Sequence, residues 1–294
     1  MMEYVTRINL KTFCLDRREL IDFCLHGDEQ YLAIGWSHVH GANKGGPALD
    51  TYSDYYYAVK NSVKRINPVL NIFWSAGEDD LFWTRDLDGC YWICRATGPA
   101  QPYYDGRMDI GAVLPVEAYP AGLEVPGQIK ASFNRPRAGT AESIKSEYIT
   151  EYSKYIYNLK AGKPVYAYQR IKGGFLNNLP DLELEELVIA YLQLKEDYYV
   201  LSNSIANKST TVKIECELIS RDRGNPRKAV VQVKGGNSIE LDARDYLEFA
   251  ENGYTVYLFA PRVIHAESLG GVIVITKEML CAFYEEYKSI LPSS

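Results

Sequence analysis

The sequence predicts a two-part mixed fold, α/β and α+β in class, and three observations predict it. Residues 1–139 read mainly as short strands broken by turns bearing Gly and Pro. Residues 178–294 read as α-β-β-β-α-β followed by β-α. Between them, residues 140–177 carry one apolar stripe at helical spacing and read as a helical connector. A chain of 294 residues has room for two domains of ordinary size.

Taken in order, Gln30–Trp36 alternates as a strand and leads into a polar, Gly-rich loop from Ser37 to about Asp50. Tyr56, Val59, Val63 and Ile66 predict a helix over 55–66. Asp80–Arg85 and Cys90–Arg95 flank Asp86-Leu-Asp-Gly89, a hairpin with a turn signal at its tip. Ile110–Glu117 is a further strand, and the Pro- and Gly-rich residues 118–139 close the unit. Ile144, Tyr148, Tyr152 and Ile156 predict a helix over 140–159.

In the second part, Leu184, Leu187, Val188, Tyr191 and Leu192 make the apolar face of a helix over 181–196. Strands are predicted at 198–201, 212–219, 229–234, 254–259 and 272–275. Asp242 can cap a helix reaching Asn252, with Gly253 as its left-handed stop, and a last helix runs over 277–290.

Hydrophobic residues at 47% and charged residues at 24% are ordinary for a soluble globular protein. A net charge of −6 argues against indiscriminate coating of nucleic acid, yet leaves room for local basic clusters. Two exist: Arg135 with Arg137, and Arg221, Arg223, Arg227 and Lys228; each reads equally well as a solvated loop. The six cysteines are scattered without metal or disulfide spacing, which favours core thiols and a reducing, cytoplasmic setting. No apolar run reaches the length of a membrane span, and the first residues lack the apolar stretch of a signal peptide.

The chemistry concentrates in Glu215-Cys-Glu217 and Gln232-Val-Lys234. Residues two apart on a strand share a face, so a hairpin sets both carboxylates beside the amide and the ammonium. The apolar surroundings imply burial, which is costly for charges unless a bound cation or a reaction uses them. The bland alternative is a cross-strand Glu–Lys pair on an exposed sheet face.

An acidic strand followed by a Gln-x-Lys strand, within this element order, resembles the PD-(D/E)xK nuclease superfamily in its Q-x-K branch. The likeness covers about residues 178–290 and implies a restriction-endonuclease-like αβββαβ domain. It places Gln232 and Lys234 in the Q-x-K positions, Glu215 or Glu217 as the acidic ligand, and Glu185 as the carboxylate of the first helix. It also implies Mg²⁺ or Mn²⁺, held by Glu215, the Gln232 amide oxygen and the Val233 carbonyl. Here both acids of the second strand are Glu where the superfamily more often has Asp, so the spacing leaves the choice of ligand open, with Glu215 favoured.

All four tryptophans, Trp36, Trp74, Trp83 and Trp92, lie in the first part. Leu32-Ala-Ile-Gly-Trp36, Asn71-Ile-Phe-Trp74 and Asp80-Leu-Phe-Trp83 through Gly98 resemble PUA-superfamily domains of the EVE and YTH kind. That resemblance implies a PUA-like β-barrel whose aromatic pocket accepts an unstacked, modified base. Its pocket candidates are Trp36, Trp74 and Trp83, with Ser37 and Asn71 as hydrogen-bond partners. Packing inside the barrel accounts for the tryptophans equally well. His38 and His40 read as part of a polar loop rather than as phosphate or metal contacts.

Together these readings imply a modification-dependent DNA endonuclease of the type IV restriction or phage-defence kind. Its partner would be base-modified DNA, and it would act as a homodimer because cutting both strands takes two sites. A non-catalytic nucleic-acid binding module and an RNA-directed nuclease remain open.

Overall fold

The computed structural model describes residues 4–41, 49–135, 139–169, 179, 181–205, 214–235, 239–288 and 291. Arg137, loop residues 42–48, connector residues 170–178, strand residues 212–213 and helix residues 289–290 lie outside the described residues. The chain divides into two compact units, Met1–Ile171 and Lys172–Ser294.

The first unit runs β1 (Val5–Ile8), α1 (Arg17–Ile21, continuing as a wider turn over Asp22–His26), β2 (Gln30–Ile34), α2 (Tyr52–Ser62), α3 (Pro68–Ser75), β3 (Leu81–Arg85), β4 (Tyr91–Ala96), β5 (Gln101–Asp105), β6 (Ile110–Gly122), α4 (Gly127–Asn134), β7 (Ala141–Ile144) and α5 (Glu147–Ala161). Its sheet has the order β2-β6-β4-β3-β1-β7, with β5 also on β6. β1 and β3 are parallel and the other pairs antiparallel. Among the described residues this is an open path from β2 to β7, not a closed barrel.

Both faces of the sheet are buried, and strand alternation assigns each side chain to one of them. Phe82, Trp92 and Cys94 pack with Leu20, Tyr55, Val59, Leu70 and Phe73 under α1, α2 and α3. Leu81, Trp83, Tyr91 and Ile93 pack with Ile129, Phe133, Ile149 and Tyr157 under α4 and α5. Residues 141–161, expected as part of a connector, thus belong to this unit as an edge strand and a covering helix. The helix starts at Glu147 rather than at 140, because the Ser146 hydroxyl caps the Ile149 N–H.

The second unit runs α6 (Asp181–Leu194), β8 (Tyr198–Val200), β9 (Cys216–Ser220), β10 (Lys228–Val233), β11 (Glu240–Asp242), α7 (Leu247–Glu251), β12 (Tyr254–Phe259), β13 (Arg262–Ile264), β14 (Val272–Val274) and α8 (Lys277–Tyr287). The five-stranded sheet has the order β14-β12-β10-β9-β8, and β11 pairs with β13 separately. The β8, β9 and β10 neighbours are antiparallel; the β10, β12 and β14 neighbours are parallel. Ala229, Val231 and Val233 face α6 and α8, whereas Val230 faces a second core with Ile214, Tyr246, Val256 and Leu258. Asp242 caps a short 3-10 turn before α7, and Gly253 takes the left-handed conformation after it.

The whole is a mixed α+β chain. No helix among the described residues is long and apolar enough to cross a membrane.

Candidate functional site

On β10, alternation turns Val230 and Gln232 to the face opposite α6. The antiparallel register sets Val230 against Glu217, and the Glu215 N–H donates to the Val231 carbonyl at 2.8 Å. Glu215 therefore comes opposite Gln232 just beyond the end of β9. The Gln232 amide nitrogen donates to Glu215 Oε1 at 2.8 Å and to the Val233 carbonyl at 3.0 Å. A buried amide is thus held between a carboxylate and a main-chain oxygen.

The structure separates the two acids of the hairpin. Glu215 meets Gln232, while Glu217 stands two pairs further along, opposite Val230, and has its N–H held by the Ser204 hydroxyl at 2.8 Å. Lys234, expected to be buried, is exposed just past β10, with its own N–H donated to the Phe259 carbonyl at 2.8 Å. Among the described residues it has no ion-pair partner, and a solvated ammonium avoids the cost of burial. Glu185 stands on α6, whose apolar side packs on the other face of the sheet. Among the described residues no three or more His, Cys, Asp or Glu converge as a metal cluster.

The donor set nevertheless suits a hard cation. The two groups flanking the amide nitrogen are oxygens, and the nitrogen and oxygen of an amide exchange places by a half-turn. After that half-turn Glu215, Gln232 and Val233 present three oxygens, the ligand type that Mg²⁺ takes.

In the first unit, a cavity of about 500 Å³ opens beside Gly35 and Trp36. Its walls include Asn9, Lys11, Phe13, Trp36, Asn67 and Asp109. Trp36 has a left-handed backbone (φ 63°), as does Asp109 (φ 50°), an arrangement that is costly for a bulky residue. The Asp109 carboxylate holds it in place: Oδ1 accepts from the Ser37 N–H at 3.0 Å and hydroxyl at 2.8 Å, and Oδ2 accepts from the Phe13 N–H at 3.2 Å. A Cβ at Gly35 would stand 2.8 Å from Asp109 Oδ2, so the close approach requires glycine.

Of the five expected reader residues, Trp36 lines this cavity and Ser37 is bonded beneath it. Trp83 does not reach it: fully buried between β3 and α5, it donates its indole N–H to the Ser153 hydroxyl at 2.8 Å. Asn71 and Trp74 lie on α3, where Trp74 meets Tyr56 at 4.8 Å between centroids and Asn71 accepts from the Tyr56 hydroxyl at 2.9 Å. His40 Nε2 donates to the Gly111 carbonyl at 2.6 Å, with the rings of Tyr55 and Tyr104 beside it. Arg135 is spent on Glu142 at 2.8 Å, whereas residues 221–228 are exposed.

Sequence reasoning missed Asp109 and Phe13. The available signals were a carboxylate directly before an apolar strand and two apolar residues, Phe13 and Leu15, in an otherwise polar stretch.

No protein-family model matches the chain, and no curated protein matches it. Among solved structures, the MspJI restriction endonuclease in complex with a 27-mer oligonucleotide is similar at 7% identity and a TM-score of 0.26. The alignment covers 87% of this chain and 64% of that one, so the chain spans less than two thirds of its length. A likeness this distant bears on neither fold nor function.

Proposed function

We propose that the chain is a modification-dependent DNA endonuclease using Mg²⁺ or Mn²⁺, with the second unit cutting and the first reading the base. The observation that carries this reading is the Gln232 amide held between Glu215 and the Val233 carbonyl. Those are the groups that the PD-(D/E)xK resemblance assigns to a cation. When bound, the cation supplies positive charge against the oxygens of the scissile phosphate and the attacking water.

Glu215 and Gln232 hold the site, and burial of Gln232 fixes its position. Lys234, one residue beyond β10, offers an exposed ammonium to a phosphate oxygen. At ~4 Å and an effective dielectric near 20, one such contact is worth ~4 kcal/mol. Realised only in the transition state, it corresponds to roughly a thousandfold in rate. In the first unit, Trp36 offers a ring to an unstacked base, with Asn9 in the same cavity wall to meet a polar edge. Base stacking on an aromatic ring contributes about 1–3 kcal/mol. A homodimer would supply the second site for double-strand cutting.

A second reading is favoured by the amide nitrogen, rather than its oxygen, facing Glu215: a self-satisfied pair suits a non-catalytic binding module. One experiment separates them. Plasmid and phage DNA, unmodified and cytosine-modified, are incubated with Mg²⁺, Mn²⁺ or EDTA. The expected outcome is metal-dependent cutting of modified DNA, lowered about a thousandfold in Lys234→Ala and Glu215→Ala. Binding without cutting assigns the module instead, and unimpaired cutting by both variants removes these residues from the site.

A further inference from the structure

We propose that the loop from Lys11 to Leu15 is a wedge that enters a DNA base stack, with Phe13 and Leu15 as its apolar tip; this rests on the base-reading role proposed above. Phe13 is 95% exposed and Leu15 fully so. Single exposed apolar residues are unremarkable, but here two project from one short loop at the mouth of a cavity.

The loop is anchored rather than slack. The Thr12 hydroxyl donates to the Met108 carbonyl and accepts from the Cys14 N–H. The Phe13 N–H is held by Asp109. Just beyond, the Asp16 carboxylate caps α1 through the Arg18 and Glu19 N–H groups, and Arg17 Nε reaches back to the Leu10 carbonyl at 3.2 Å. An ordered loop thus holds two large apolar side chains in water.

Basic side chains outnumber acidic ones around the tip, Lys11, Arg17 and Arg18 against Asp16 and Glu19, with Arg18 also 3.9 Å from Asp88. Lys11, Arg17 and Arg18 are exposed on the same stretch, where a phosphate backbone would pass. Apolar side chains pushed between base steps unstack them, and the released base needs a receptacle. The cavity wall bearing Trp36 begins at Phe13 itself. Asp109 bonds the Phe13 backbone through one carboxylate oxygen and Ser37 through the other, so one residue fixes wedge and receptacle together. Asp109 is a positioning residue here.

The test compares the full-length protein with Phe13→Ala/Leu15→Ala. Both side chains are solvent-exposed, so the fold is retained, as near-ultraviolet circular dichroism will show. Duplexes carrying cytosine, 5-methylcytosine, 5-hydroxymethylcytosine or N6-methyladenine, each with a neighbouring 2-aminopurine, are titrated beside the matching single strands. Wild type brightens 2-aminopurine in the duplex it binds best. The double variant loses the brightening, and its loss of affinity is at least tenfold greater on that duplex than on the single strand, which needs no unstacking. Equal losses on both forms make Phe13 a cavity wall only and overturn the wedge, as does unchanged duplex binding. Wild type that binds neither form overturns the base-reading role, and the wedge with it.

Discussion

Glu117 gathers donors from three directions: the hydroxyls of Tyr119 and Tyr157, the ammonium of Lys163 at 3.2 Å, and Arg95 at 3.5 Å. Burial alone would raise its carboxyl, but these partners outweigh burial and hold it at about 2, below its ordinary 4.5. A depressed carboxylate contributes stability that is complete above pH 4.5 and lost as pH falls through about 2. Glu117→Gln is therefore less resistant to urea at neutral pH, and its difference from wild type shrinks between pH 4.5 and 2. A constant difference across that range would assign the loss to packing. Trp83 makes a similar point about roles. Trp83→Phe gives up the bond to Ser153 and part of a buried ring, a loss of about 1–3 kcal/mol in denaturation. Its DNA binding stays at the wild-type level; a selective fall on modified duplex would return Trp83 to the reader.

Among the elements, the second unit was the more legible. Its helices and strands carry clean apolar periodicities, against which Glu215, just before β9, and Gln232, within β10, stand out as polar. What sequence could not settle was exposure at a strand's end. Lys234 looks interior by alternation, yet lies one residue past β10 in solvent. The tryptophans failed to sort for a related reason. Both faces of the first sheet are apolar, so apolar character alone does not separate Trp83, packed inside on β3, from Trp36, which lies past the end of β2 beside a cavity. The β2–β6 pairing depends on Gly111, where a Cβ would stand 2.4 Å from the Gly35 carbonyl and 2.7 Å from the Tyr55 ring. Gly111→Ala must push these strands apart, with an expected loss of about 1–3 kcal/mol and weaker base binding. A variant as stable as wild type would show that β6 yields more readily than its pairing implies.

For the whole molecule, the proposed reading and cutting fall to residues of two separate compact units, Trp36 in one and Lys234 in the other. Trp36→Ala lowers affinity for modified duplex by about tenfold. Lys234→Ala lowers turnover, and the effects of independent sites add. The double variant's kcat/KM on modified DNA then falls by the product of the single losses. A smaller combined loss would reveal coupling between reader and cutter. Gln232 has a consequence for the metal-free protein. Its amide already satisfies Glu215 and the Val233 carbonyl, the oxygens that would hold a cation, so folding does not require the ion, unlike domains that collapse on chelation. EDTA should abolish cutting and leave a folded protein that still melts cooperatively. On the proposed reading such a protein would wait fully folded, and the supply of divalent ion would set only how fast it cuts.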